Sequence, residues 1–271
     1  MRISEWIVCG FFAYLVVLAR LFPVSGRRRA RVLLVGLVCV GLVVMLSQLR
    51  LRLPMQVARD WVPALYLLQA YWLCGLFFTH PMRAVEDRLL QLDQRLFALT
   101  RLAPLVRRAP RALLELLELA YLCAYPFIPA TFGLLCAAGL RAEADRFWVA
   151  VLVASFGCYG ILPWLHTRPP RSIEPAGPID QRSLALRRLN MAVLDRVSVQ
   201  VNTLPSGHAA TALAAALVVG ELLPGLLPVL VAGALAIALA TVIGRYHYAV
   251  DTILGLAVGI VGWWVSGVLV P

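Results

Sequence analysis

Two short stretches carry the residue types that chemistry needs: Leu204-Pro205-Ser206-Gly207-His208 and Arg245-Tyr246-His247-Tyr248-Ala249-Val250-Asp251. Histidine suits proton transfer near neutral pH and can act as a covalent nucleophile, so two of them at one place suit a two-step phosphoryl transfer. One attacks phosphorus and the other protonates the leaving oxygen. His247 and Asp251 stand four residues apart. If a helix begins before them, the carboxylate lies one turn from the imidazole, where it can hold the Nδ1 proton and leave Nε2 free. Ser206 and Gly207 precede His208 at an expected helix start, where unpaired N–H groups and the positive dipole end favour an anion. Arg168, Arg171 and Arg245 are planar, permanently charged donors for the remaining phosphate oxygens. Such an assembly calls for no metal and no organic cofactor.

The elements that must position these residues are apolar helices. The chain has 271 residues, of which 61% are hydrophobic and 14% charged; soluble domains are nearer half apolar and one quarter charged. A polytopic transmembrane helix bundle, all-α, is the expected fold. A hydrocarbon core about 30 Å thick needs roughly 20 apolar residues per helix. Runs of that kind fall at Trp6–Phe22, Val32–Leu49, Trp61–Phe78, Ala112–Leu140, Phe147–Leu165, Ala209–Leu223, Leu226–Ile243 and Val250–Val270. The third is short and the fourth is interrupted by Pro126 and Pro129, so the expectation is about six to eight spans. Between the third and fourth, Val85, Leu89, Leu92, Leu96, Leu99 and Leu102 recur at helical steps, with Glu86, Asp87, Arg88, Asp93 and Arg95 on the other face. This pattern predicts an amphipathic helix lying in the headgroup layer. The chain thus divides into N-terminal spans at 1–80, an interfacial segment at 81–111 and a catalytic membrane core at 112–271.

Helix ends place the three polar segments together. The His166–Arg171 segment closes the fifth span, Pro205–His208 opens the sixth, and Arg245–Asp251 joins the seventh and eighth. All three ends belong to one membrane face. The formal charge of +11 comes entirely from arginine, since there is no lysine, and arginines scattered between spans point to anionic lipid rather than nucleic acid. The six cysteines lie in apolar runs without metal-ligand spacing and read as small core residues. A cleavable signal peptide is not expected, because the first run lacks a small-residue cleavage site and more spans follow it.

The motifs resemble those of the type 2 phosphatidic acid phosphatase superfamily: Lys-x6-Arg-Pro, Pro-Ser-Gly-His and Ser-Arg-x5-His-x3-Asp, in that order. The second is complete here, and the resemblance covers roughly the last 110 residues. It implies that His247 is the nucleophile that becomes phosphohistidine, Asp251 its orienting partner and His208 the general acid. It further implies that Arg168, Ser206 and Gly207 bind phosphate. Two positions depart from the pattern: Ile161 stands in place of the first-motif lysine and Thr241 in place of the third-motif arginine. Arg171 and Arg245 lie close by as replacements, and the pattern is similar to the branch containing inositol phosphorylceramide and sphingomyelin synthases.

The leading expectation is therefore a membrane-embedded, metal-independent phosphatase acting on a lipid phosphate or diphosphate. The alternative is a lipid phosphotransferase that moves a phospho-headgroup to a lipid alcohol, and a third reading is an anion-binding membrane protein without turnover. Glu115 and Glu118 read as helix-end carboxylates beside a favourable dipole, His80 and His166 have no motif partner, and Trp263 and Trp264 read as interfacial or packing aromatics. The arginine distribution favours a cytoplasmic site face by the positive-inside rule. The resemblance implies the extracytoplasmic face, and that placement is the one adopted; abundant alanine, arginine, leucine and valine without lysine fit a bacterium, hence a bacterial cytoplasmic membrane.

Overall fold

The computed structural model describes residues 1–48, 53–174 and 183–271. Leu49, the expected end of the second span, lies outside them. The described residues are mostly helical, with eleven α-helices: α1 Ile3–Leu21, α2 Gly26–Gln48, α3 Leu53–Gly75, α4 Arg83–Thr100, α5 Leu102–Arg108, α6 Arg111–Ala137, α7 Ala144–Tyr159, α8 Ala185–Val197, α9 Gly207–Leu222, α10 Leu227–Ile243 and α11 Ala249–Leu269. Five of the described helices are long and apolar enough to cross a membrane: α1, α2, α6, α10 with its preceding turn, and α11. Their outward faces stay apolar, as Leu34, Leu37 and Val38 on α2 and Val261 and Trp264 on α11 show.

The expected fifth and sixth spans form short helices, and the fifth stops before its apolar run ends. At 16 residues each, α7 and α9 rise only about 24 Å. They need not cover a full hydrocarbon width on their own surface, because both are enclosed by other helices. Residues 147 to 152 of α7 are buried on every face, as a helix apolar all round should be. α7 packs against α11, α9, α1 and α3, and α9 against α10 and α6. α7 then ends at Tyr159 and the chain turns, leaving 160–166 to lead into the polar segment. The fourth run behaves in the opposite way: α6 continues through both Pro126 and Pro129 without a break in assignment.

Close approach within this core rests on small residues, as is usual where helices meet without water to drive them together. α11 turns Gly255, Gly259, Gly262 and Ser266 inward at helical spacing. A Cβ at Gly259 would lie 2.6 Å from the Ala210 carbonyl oxygen of α9, and one at Gly262 would lie 2.6 Å from that of Ala150 on α7. At the bundle end away from Tyr159, charged pairs tie the starts of α1, α3 and α7. Arg59 binds Glu5 through two bonds of 2.7 and 2.8 Å, and Asp60 takes Arg2 at 2.7 Å and Arg141 at 2.6 Å.

The amphipathic helix packs on the bundle by its acidic side. α4 forms as expected and breaks at Arg101, where φ is +52°, before α5 continues. Its buried row is Glu86, Leu89 and Asp93, whereas Leu92 and Leu99 point outward. The acidic row turns inward because two arginines of the polar loops wait there, and the leucines are left for the lipid interface.

Gly259→Val is expected to cost about 1–3 kcal/mol, seen as a lower melting temperature in detergent. An unchanged melting temperature would show that α9 and α11 do not meet at this distance.

Candidate active site

Backbone pairing draws the three polar segments into one site. Asn202 N–H donates to the Thr167 carbonyl at 2.8 Å, Arg171 N–H to Arg245 at 3.0 Å, and Ser206 N–H to Asp251 at 2.8 Å. Met82 N–H reaches the His166 carbonyl at 2.7 Å, which brings the start of α4 to the same place. A cavity of about 450 Å³ opens beside them, with Arg171, Gly207, His208, Tyr246 and His247 at its polar end. Leu67, Leu68, Ile128 and Leu194 line the rest, from α3, α6 and α8. Such a mostly apolar hollow with few convergent polar groups, set between helices, is a usual form of ligand site.

Local structure explains how His208 arrives there. Ser206 caps α9, its Oγ accepting from Ala209 N–H at 3.5 Å, and Thr203 Oγ1 accepts from Gly207 N–H at 3.4 Å. The Ser206 hydroxyl is therefore buried under the helix start rather than on the cavity wall. Gly207 is required by contact, since a Cβ there would sit 2.7 Å from the Tyr159 ring. His208 lies edge-on to Tyr121 and Tyr125, each with ring centroids 5.6 Å away, and 5.9 Å from His247.

His247 stands in the loop between α10 and α11. Its Nδ1 lies 3.0 Å from Asn202 Oδ1 and 3.6 Å from Asp251 Oδ2. Asn202 in turn donates through Nδ2 to Asp251 Oδ2 at 2.9 Å, and Tyr248 N–H donates to the same oxygen at 3.0 Å. Burial, with Arg171 adding to it and a hydrogen bond to the Thr203 backbone opposing it, pushes His247 down to about 3. The imidazole is thus neutral at rest, the form a nucleophile needs.

The three candidate arginines part company. Arg171 faces the cavity, with Nη2 3.3 Å from Gln200 Oε1 and its guanidinium 5.6 Å from the centre of the Tyr246 ring. Arg168 instead turns to Glu86, which accepts from its backbone N–H at 2.8 Å, Nε at 3.1 Å and Nη2 at 2.8 Å. Arg245 has φ of +58° and is held between Asp93 at 2.5 Å and Glu174 at 2.6 Å. Among the described residues, Arg171 is the arginine on the cavity wall.

Glu118 organises the neighbouring wall from α6. It accepts from the Tyr246 hydroxyl at 2.5 Å, Asn190 Nδ2 at 2.7 Å and Arg187 Nη1 at 3.3 Å. Tyr246 then stacks on Tyr121 at 3.5 Å. Glu115 accepts from the first N–H groups of α8, Ala185 at 2.8 Å and Leu186 at 3.0 Å. Both carboxylates thus hold α8 and the Arg245–His247 loop. His166 packs on Phe78, away from the paired histidines.

A family model described as the PAP2 superfamily matches residues 87–265. The chain belongs to the PAP2 superfamily. It is an integral membrane protein of that superfamily, whose members are enzymes of the phosphatase and phosphotransferase type. No curated protein and no solved structure matches it. In this PAP2 protein the two positions without their basic residue have other surroundings. Ile161 is exposed on the outside of the bundle, and Thr241 is buried where α10 meets α11, bonded to Thr252 Oγ1 at 2.9 Å.

Sequence reasoning missed Asn202, the inward-facing Glu86 and Asp93, and α8 with Arg187 and Asn190. For α8 a signal existed, since Leu184, Met191 and Leu194 recur at helical steps. No residue spacing announces the others.

Burial alone would raise Glu86, but the hydrogen bonds and charge of Arg168 hold it below the usual 4.5. A depressed carboxylate contributes stability above its unfolded pKa and loses it as pH falls through the folded one. The melting-temperature gap between the native protein and Glu86→Gln is therefore expected to stay constant from about pH 8 to pH 5 and to close below about pH 4.5. A gap that is absent at pH 7, or that widens in acid, would contradict the pairing.

Proposed function

We propose that the protein transfers the phosphorus of a membrane lipid phosphate ester through a covalent phosphohistidine on His247. The supporting observation is the arrangement of His247, its Nδ1 engaged from behind and its ring on the cavity wall 5.9 Å from His208. In the first step the Nε2 lone pair attacks phosphorus, the bond from phosphorus to the lipid oxygen breaks, and a protonated His208 gives that oxygen its proton. In the second step an acceptor hydroxyl gives its proton to His208 and attacks phosphorus, and the N–P bond breaks. Arg171 donates to the non-bridging oxygens as charge spreads over them. The apolar walls from α3, α6 and α8 take the lipid chains.

Charge bears on the choice between acceptors. Sequence reasoning put hydrolysis of a lipid phosphate or diphosphate first, with three arginines at the phosphate. With Arg168 and Arg245 neutralised by Glu86, Asp93 and Glu174, one arginine remains on the described wall. With the His208 proton directed at the leaving oxygen, Arg171 is the one cation at the non-bridging oxygens, which matches the monoanion of a phosphodiester better than the dianion of a monoester, whose desolvation would lack compensation. We therefore favour a phosphodiester lipid as donor and transfer of its phospho-headgroup to a lipid alcohol, as in the inositol phosphorylceramide synthase branch. The monoester phosphatase is the second reading.

The test is a product assay on purified protein with chelator present. It supplies a phosphatidyl-headgroup donor with ceramide or diacylglycerol acceptor, and separately phosphatidate and a polyprenyl diphosphate. Labelled phosphorus is expected on the acceptor lipid, with more than about a thousandfold loss in His247→Ala. Release of inorganic phosphate from phosphatidate would select the phosphatase reading instead, and activity surviving in His247→Ala would overturn both. Repeating the assay in sealed vesicles with short-chain substrate added outside reports the membrane face, which this reading places on the extracytoplasmic side.

A further inference from the structure

We propose that Asn202 is the positioning residue that fixes the tautomer of His247, and that Asp251 acts on the imidazole through it rather than by direct contact. The inference rests on the phosphohistidine reading for its catalytic consequence, but not for its geometry. Asn202 is 1% exposed, and its backbone is pinned by the bond from its N–H to the Thr167 carbonyl. A side chain so enclosed has to place its donor end and its acceptor end correctly.

The polarity of the chain follows from the carboxylate. A carboxyl oxygen without a proton only accepts hydrogen bonds, whereas an amide has one accepting oxygen and one donating nitrogen. Asp251 Oδ2 already receives Tyr248 N–H at 3.0 Å, so the Asn202 end that meets it at 2.9 Å must be the donating Nδ2. Thr167 Oγ1, 3.3 Å from the same nitrogen, is a second acceptor for it. The amide oxygen is then turned toward His247 Nδ1 at 3.0 Å and can only accept. Nδ1 therefore carries the proton, and Nε2 presents its lone pair. The 3.6 Å between Nδ1 and Asp251 lies beyond hydrogen-bond range.

The amide does something that a carboxylate in its place would not. A carboxylate touching Nδ1 favours the imidazolium, which has no lone pair for attack. A neutral amide selects the tautomer without drawing a second proton onto the ring. When Nε2 bonds phosphorus, the ring becomes cationic, and the negative charge of Asp251 one amide away then stabilises it.

The chain contains four histidines, so ring ¹⁵N spectra of ¹⁵N-histidine-labelled protein in detergent can be read singly, with His247→Gln assigning the signal. Native His247 is expected as the Nδ1–H tautomer, against the Nε2–H form that free side chains favour. Asn202→Ala is expected to lose that preference and to lower kcat at least about tenfold with KM nearly unchanged. Asp251→Asn is expected to relax the preference too, because an amide there no longer dictates which way Asn202 points. The signals of His80, His166 and His208 serve as the folding control. Native His247 found as Nε2–H overturns the proposal without any variant, as does an Asn202→Ala protein whose His247 stays Nδ1–H. Because the spectra need no substrate, the expected tautomer in a protein that turns over no lipid ester would overturn the transfer reading and leave the role of Asn202 standing.

Discussion

A carboxylate buried in the first turn of α11 has to be answered by donors, and the donors of Asp251 order everything around it. Tyr248 N–H closes the start of α11 on it, and Asn202 Nδ2 brings in the loop before α9. The Asp251 carbonyl takes Ser206 N–H, which fixes where α9 begins and hence where His208 points. Gly255, one turn further along α11, lets this happen, since a Cβ there would sit 2.5 Å from the Ser206 carbonyl oxygen. Leaving that carboxylate unpaired would cost several kcal/mol, so the fold of the loops and the alignment of the two histidines share one cause.

Around this centre the protein spends its arginines differently from its family motifs. Arg168 and Arg245 bind the acidic face of α4, so one amphipathic helix holds both of the loops they belong to. Asp93 is the joint, pairing with Arg245 and accepting Ala249 N–H at 2.7 Å, the residue that opens α11. Phe97 adds an aromatic face 5.1 Å from the Arg245 guanidinium. Arg168, the arginine of the first motif, is engaged by Glu86, and Arg171 is the arginine left on the described cavity wall beside the two histidines.

The histidines and Asp251 were legible in the sequence because each sits at the edge of an apolar run, and counting runs put those edges on one face. The resemblance supplied their roles. The helical class was legible for the same reason, but not the length of α7, because enclosure by neighbours is invisible to a hydropathy window. The orientation of α4 was half legible: leucines at helical spacing mark the lipid side, and only the arginines of a loop distant in sequence say that Glu86 and Asp93 face the protein. Asn202 carries no sequence signal at all. A lone asparagine in a polar loop becomes meaningful once Thr167, His247 and Asp251 surround it.

Trapping the intermediate tests the central claim most directly. The protein is mixed for milliseconds with a phosphodiester lipid labelled at phosphorus, quenched in alkali and digested. The account predicts an alkali-stable, acid-labile label on the peptide holding His247, absent in His247→Ala and accumulating when the acceptor alcohol is withheld. Turnover with no protein-bound label, or label on His208 instead, would contradict it.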